Sequence, residues 1–258
     1  MDWLEPLTTV ARLAGGIALR HFRTNLRVET KADGSPVTLA DRAAEDAART
    51  WILQRFAGDE ILGEEHGTSG VPNATRRWVI DPIDGTKTFI HGVPLWGTMV
   101  GVIEQETVVA GAIYCPAVDE LVVAAHGAGC WHNGTRCSVS EIADLSAATI
   151  LTTSARFTDP HRRQRWIDLS QRVKITRTWG DCFGYLLLAS GRAEVMVDDR
   201  LNIWDYAPLL PIVREAGGVI TDWHGGAAYR GGAIATNAAL SQQVRDALME
   251  LAGATSRT

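Results

Sequence analysis

Arg77-Trp78-Val79-Ile80-Asp81-Pro82-Ile83-Asp84-Gly85-Thr86 opens as a buried strand and closes as a turn. Two carboxylates emerge where the strand ends. Pro82 fixes its own φ and stiffens the turn, while Gly85 permits a backbone geometry that other residues resist. Hard oxygen donors on so rigid a turn suit Mg²⁺, which demands near-octahedral geometry. The amides of Gly85 and Thr86 come next, and free amides at a turn or helix start attract phosphate. Asp, Pro and Gly are also ordinary turn residues, so this stretch alone admits a plain Asp-rich turn.

Neighbouring segments argue against that plain reading. Ile61-Leu62-Gly63-Glu64-Glu65 is a short apolar run that ends in two acids, ahead of the strand. Far downstream, Trp204-Asp205-Tyr206-Ala207-Pro208-Leu209-Leu210 sets one acid at the start of an apolar helical stretch. An Asp there is an ordinary N-cap, a role compatible with holding a metal.

Together these segments resemble the inositol-monophosphatase-like superfamily of Mg²⁺-dependent, lithium-sensitive phosphatases, over nearly the whole chain. The resemblance implies an α+β fold, a layered αβαβα sandwich of the sugar-phosphatase type. It implies Glu64, Asp81, the Ile83 carbonyl, Asp84 and Asp205 as ligands for two or three Mg²⁺ per active site. Lys87-Thr88-Phe89-Ile90, followed by Gly92-Val93-Pro94-Leu95-Trp96-Gly97-Thr98, looks like the histidinol-phosphate phosphatase branch. Gly180-Asp181-Cys182-Phe183-Gly184-Tyr185 onward resembles that branch's substrate-side helix.

The 258-residue chain is long enough for a substantial core. A net charge of −5 gives no electrostatic footprint for nucleic acid. No apolar run spans a bilayer, and the N-terminus lacks a secretory pattern. Four cysteines without metal-finger spacing demand no disulfide framework, so a cytoplasmic setting is the default. The nine tryptophans read mainly as core or interface residues.

Asp2 to about Arg23 is apolar on a helical period, with Gly15-Gly16 placed for close packing. Thr38 to Phe56 reads as a second helix, and Trp78 to His126 as an antiparallel sheet. After Glu141, strands at 148–152, 174–178, 194–197 and 219–221 alternate with helices at 160–172, 181–189, 204–216 and beyond Asn237, giving α/β character. The active site is expected between residues 1–140, an N-terminal α+β part with most metal ligands, and residues 141–258, a C-terminal α/β part with substrate contacts.

Phosphate monoesters resist hydrolysis because the anionic ester repels a nucleophile and the alkoxide leaves poorly. Mg²⁺ answers both difficulties by activating a water and stabilising the leaving oxygen. By the resemblance, Asp41 accepts the proton of the Thr86 hydroxyl, which accepts that of the water. The alternative reading of Asp41 is a solvated helical acid. Glu65 is placed to orient the water, or is a second exposed acid; Lys31 is a candidate to neutralise charge around the ligands. The seven histidines form no H-x-x-x-H pair.

Substrate contacts are expected from Glu64, Ile83, Asp84, Gly85, Thr86 and Asp205 around the phosphate. Histidinol phosphate carries an ammonium and an imidazole, which call for carboxylates; Asp181 and the Asp198-Asp199 pair supply them, and Asn202 completes the imidazole contacts. An inositol phosphatase would want neutral partners for hydroxyls. A 3′-phosphoadenosine 5′-phosphate phosphatase stays open through Arg192 and Arg200. A regulatory protein that kept the metal and lost catalysis would not need Thr86 and Asp41. The expected partner is a small phosphate ester, with neither nucleic acid nor membrane, and family resemblance favours a homodimer.

Overall fold

Residues 2–226 and 231–249 are described by the computed structural model. Residues 227–230 and 250–258 of the expected C-terminal part lie outside them. Helix α1 (Leu4–His21) buries Leu7, Val10, Ala11, Ala14 and Ala18 on one face. Gly15 lies against the sheet so closely that a Cβ would meet the Tyr114 ring at 2.7 Å, whereas Gly16 has open space beside it. A ribbon of β1 (Glu29–Thr30) and β2 (Pro36–Val37) encloses the Lys31–Ser35 loop. Helix α2 (Leu39–Arg55) starts at a capping box: Thr38 Oγ1 accepts from Ala40 N while the Asp41 carboxylate accepts from Thr38 N.

The next strands are β3 (Glu60–Gly63), β4 (Gly67–Gly70) and β5 (Arg76–Asp84). A short helix, α3 (Thr86–Ile90), leads into β6 (Gly97–Glu104), β7 (Thr107–Cys115), β8 (Glu120–Ala125), β9 (Gly129–His132) and β10 (Thr135–Cys137). The sheet order is β10-β9-β8-β7-β6-β5-β3-β4. Every pair from β5 to β10 is antiparallel, as the sequence suggests, but β3 and β5 run parallel. The chain turns back along the outer edge as β4 and then crosses to the inner side of β3. Strands β6 to β8 are buried at almost every position because helices cover both faces of the sheet.

The second half comprises β11 (Thr149–Thr152), α4 (Pro160–Ser170), β12 (Ile175–Arg177), α5 (Asp181–Ala189), β13 (Val195–Asp198), α6 (Ile203–Glu215), β14 (Val219–Thr221), β15 (Ala233–Thr236) and α7 (Ser241–Leu248). Its sheet order is β12-β11-β13-β15-β14. The α/β character is limited to β12, β11 and β13, which run parallel. Among the described residues no helix lies between β14 and β15, and β15 returns antiparallel and inserts between β13 and β14. Helices α1 and α2 cover the outer face of the first sheet, α5 and α6 fill the space between sheets, and α4 and α7 pack together outside the second. The result is the five-layer αβαβα sandwich. Apolar side chains of α5 and α6, Leu186, Leu209 and Ile212 among them, share one core with Met99 and Ile113 of the first sheet and Met196 and Ile220 of the second.

Candidate active site

Side chains three positions apart on a regular strand fall on opposite faces. Asp81 and Asp84 escape this rule because β5 bulges between them: Asp81 pairs with Met99, yet Asp84 pairs with Gly97. Pro82 sits in the bulge, where its missing N–H breaks no ladder bond; its carbonyl accepts from Thr98 Oγ1 at 2.8 Å. Gly85 then adopts φ +82°, and a Cβ there would lie 2.9 Å from an Asp181 carboxylate oxygen. Only glycine serves both the turn and that close approach. It is the N-cap of α3.

Helix α6 delivers the third acid. Asn202 is its N-cap, so Asp205 stands in the first turn rather than at the cap itself, and its Oδ2 accepts from Asn202 N at 2.7 Å. One ligand atom each of Asp81, Asp84 and Asp205 lie within 4.8 Å of one another. Burial and mutual repulsion raise all three carboxyl pKa values, that of Asp205 to about 7, and Asp81 shares a hydrogen bond with Asp205. Buried carboxylates that repel one another at such spacing are short of positive charge. The donor set, all hard oxygen, fits Mg²⁺.

Glu64 lies near enough for its charge to push the Asp81 and Asp205 values higher. It is not one of the three converging groups, because Lys31 Nζ holds its Oε1 at 2.7 Å and Glu65 Oε1 at 2.6 Å. Lys31 thus neutralises this acid pair directly. Burial pushes the Glu65 carboxyl up to about 7, against the opposing pull of Lys31. The Ile83 carbonyl accepts from Thr86 Oγ1 at 3.1 Å.

Helix α5 closes the other side. Asp181 has a positive φ of 50°, uncommon outside glycine. Gly180, not Asp181, is the N-cap; the Asp181 carboxylate instead accepts from Thr88 Oγ1 at 3.3 Å across the cleft. With Asp84, Thr153, Tyr185, Arg200 and Asp205 it lines a cavity of about 100 Å³. Cys182 N donates to Asp84 Oδ2, which locks α5 to the end of β5.

Four expected residues are placed differently. Asp198 is buried, with Oδ1 accepting from Thr153 N at 3.1 Å and Oδ2 from the Tyr185 hydroxyl at 3.0 Å. It lies behind the cleft wall, not on it, and holds two wall residues in place; burial pushes its carboxyl up to about 6. Asp199 pairs with Arg162 at 2.9 Å and with Thr158 N, so it too is committed elsewhere. Asp41 is buried rather than solvated, and its Oδ2 accepts from both Thr38 N and Thr38 Oγ1. Among the described residues no hydrogen bond joins Asp41 to Thr86. Asn202 reaches the site through its backbone amide, while the residue itself is exposed.

Sequence reading passed over Thr153 and Tyr185. Thr153 follows the C-terminal end of a parallel strand, the place where α/β sheets gather ligand contacts, and that position is its signal. Tyr185 reads as one more apolar residue of α5 until its hydroxyl is seen on Asp198.

A model of the inositol monophosphatase family matches residues 2–255. The histidinol-phosphatase of Chlorobaculum parvum is 43% identical over 224 residues, covering 86% of each chain. That of Mycobacterium tuberculosis is 38% identical over 233 residues, covering 88% of this chain and 89% of its own. Among solved structures, the extragenic suppressor protein suhB of Bartonella henselae aligns with a TM-score of 0.90 at 30% identity, over 95% of this chain and 97% of that one.

Proposed function

Since the chain belongs to the inositol monophosphatase family and is a phosphatase of that kind, we propose that it is a Mg²⁺-dependent histidinol-phosphatase. The reaction is L-histidinol phosphate plus water to L-histidinol plus phosphate, a step of histidine biosynthesis. The convergence of Asp81, Asp84 and Asp205 beside the start of α3 supports the chemistry. The Asp181 carboxylate on the cleft wall, where a cationic leaving group needs it, supports the substrate.

Asp81, Asp84 and Asp205 would hold Mg²⁺, joined by the Ile83 carbonyl and by Glu64 once it leaves Lys31. The bound ion supplies Lewis acidity and a more acidic water. The Gly85 and Thr86 amides receive phosphate oxygens. Thr86 and Asp41 handle the water's proton, and Glu65 orients the water. Asp181 takes the ammonium or imidazolium, with Asn202 at the rim, while Asp198 keeps Tyr185 and Thr153 in register. A cytoplasmic homodimer completes the proposal; sedimentation of the purified protein checks its size.

The reading is tested by phosphate release in Mg²⁺ from L-histidinol phosphate, inositol 1-phosphate, fructose 1,6-bisphosphate and 3′-phosphoadenosine 5′-phosphate. Histidinol phosphate should give the highest kcat/KM. A clear preference for any other ester overturns the substrate assignment and leaves the phosphatase standing.

A further inference from the structure

Glu45 is fully buried on α2, one helical turn beyond Asp41. A buried carboxylate persists only when its oxygens are satisfied, and those of Glu45 are satisfied unusually. Oε1 accepts from Arg49 Nε at 2.7 Å and from His66 N at 3.1 Å, and Oε2 accepts from Glu65 N at 2.7 Å. The remaining amide of the same turn, Glu64 N, donates to Ile80 O at 3.1 Å. Every main-chain N–H from Glu64 to His66 is therefore fixed, one by β5 and two by Glu45.

The brace extends further. A Cβ on Gly63 would lie 2.1 Å from Glu45 Oε1, so only glycine admits the carboxylate beneath the turn. Arg49 Nη1 and Nη2 donate to Ser69 Oγ and Gly67 O on the return strand. From below, one ion pair grips the turn and the return strand of the β3–β4 hairpin. Above, the same turn presents Glu64 and Glu65 to Lys31.

We infer that Glu45 is a positioning residue for the metal site: it sets the backbone from which Glu64 and Glu65 reach the cleft. The inference rests on the proposed role of Glu64 as a ligand. Stability alone is a poor reason for such a pair, because well-packed apolar replacements of buried ion pairs are often neutral or stabilising. Apolar residues cannot accept from two turn amides.

Glu45→Gln keeps the volume but swaps one acceptor oxygen for an NH₂, so one bonded donor always loses its acceptor. The test is the Mg²⁺-dependent rise in Tm, followed alongside activity. The Mg²⁺ midpoint of both should move about 10-fold upward, the scale of losing a group that orients a ligand, with kcat largely recovered at saturating Mg²⁺. The double substitution Glu45→Met with Arg49→Leu should move the midpoint likewise, even where its metal-free Tm matches wild type. Glu60→Gln, which unpairs Arg77 at the far end of β3, should lower Tm and leave the midpoint alone. Wild-type midpoints in both Glu45 variants overturn the inference. A wild-type Tm that ignores Mg²⁺ overturns the metal reading as well.

Discussion

A carboxylate on a cleft wall and one behind it respond differently to losing their charge. Asp181 lines the cavity and caps no helix of its own, whereas both oxygens of Asp198 are bound inside the protein. Neutralising one member of a desolvated charge pair costs about 2–5 kcal/mol. Asp181→Asn should therefore cut kcat/KM for histidinol phosphate by about 30-fold or more and barely change turnover of glycerol 2-phosphate. Asp198→Asn should instead slow both esters alike and lower stability by about 1–3 kcal/mol, the cost of a buried polar mismatch. Steady-state kinetics on the two esters, with a melting curve for each variant, distinguish the roles. Equal losses for Asp181→Asn on both esters would place that acid in the common machinery. In the sequence the two are indistinguishable, since each is an Asp near the edge of an element; only the fold separates wall from support.

Helix starts do much of the positioning. Asp41 and Asp205 each stand in the first turn of a helix and accept from the N-cap amide, Thr38 N for one and Asn202 N for the other. The capping geometry fixes each acid before any tertiary contact forms. Thr86 belongs to a third helix start, and its hydroxyl donates to the Ile83 carbonyl rather than to Asp41. If the two residues work as one relay during turnover, Thr86→Ala and Asp41→Asn should each lower kcat more than they raise KM, and the double variant should be little worse than either. Multiplicative losses would show that they act separately. Elements of this kind are legible from local signals: α5 falls on Asp181–Ala189, the span read from its apolar run. The β5 bulge and β15 are not, because both depend on which strand lies alongside.

Across the molecule, the site concentrates negative charge that folding must desolvate. Asp81 and Asp84 are raised well above the usual carboxylate range, Asp205 and Glu65 to about 7, and Asp198 to about 6. A raised carboxyl holds its proton in the folded state after the unfolded chain has released it. Between about pH 4 and 7 the folded state thus binds more protons, and stability must fall as pH rises. Metal-free protein should accordingly lose Tm from pH 5 to pH 8, and Mg²⁺ should remove most of that loss by taking the place of protons. A metal-free Tm that climbs across the window would contradict the charge distribution. The five-layer fold, with its helix layer between the sheets, follows from the motif resemblance, but the mixed pairing of the second sheet does not. Pairing direction is settled by which strands come to lie side by side, as β15 does between β13 and β14, and that carries no periodic signal.

Asp81, Asp84 and Asp205 converge as hard oxygen donors, and the proposed function makes them the divalent-metal site at which a phosphate ester is hydrolysed. The most direct measurement is phosphate release from L-histidinol phosphate against Mg²⁺ concentration, for EDTA-treated wild type and for Asp84→Asn. Wild type should be silent after chelation and recover fully with Mg²⁺. Asp84→Asn should keep its circular dichroism spectrum yet remain at least about 10²-fold slower at saturating Mg²⁺, the scale of losing a key electrostatic group. Turnover that survives thorough chelation, or an Asp84→Asn variant near wild-type rate, would contradict the account.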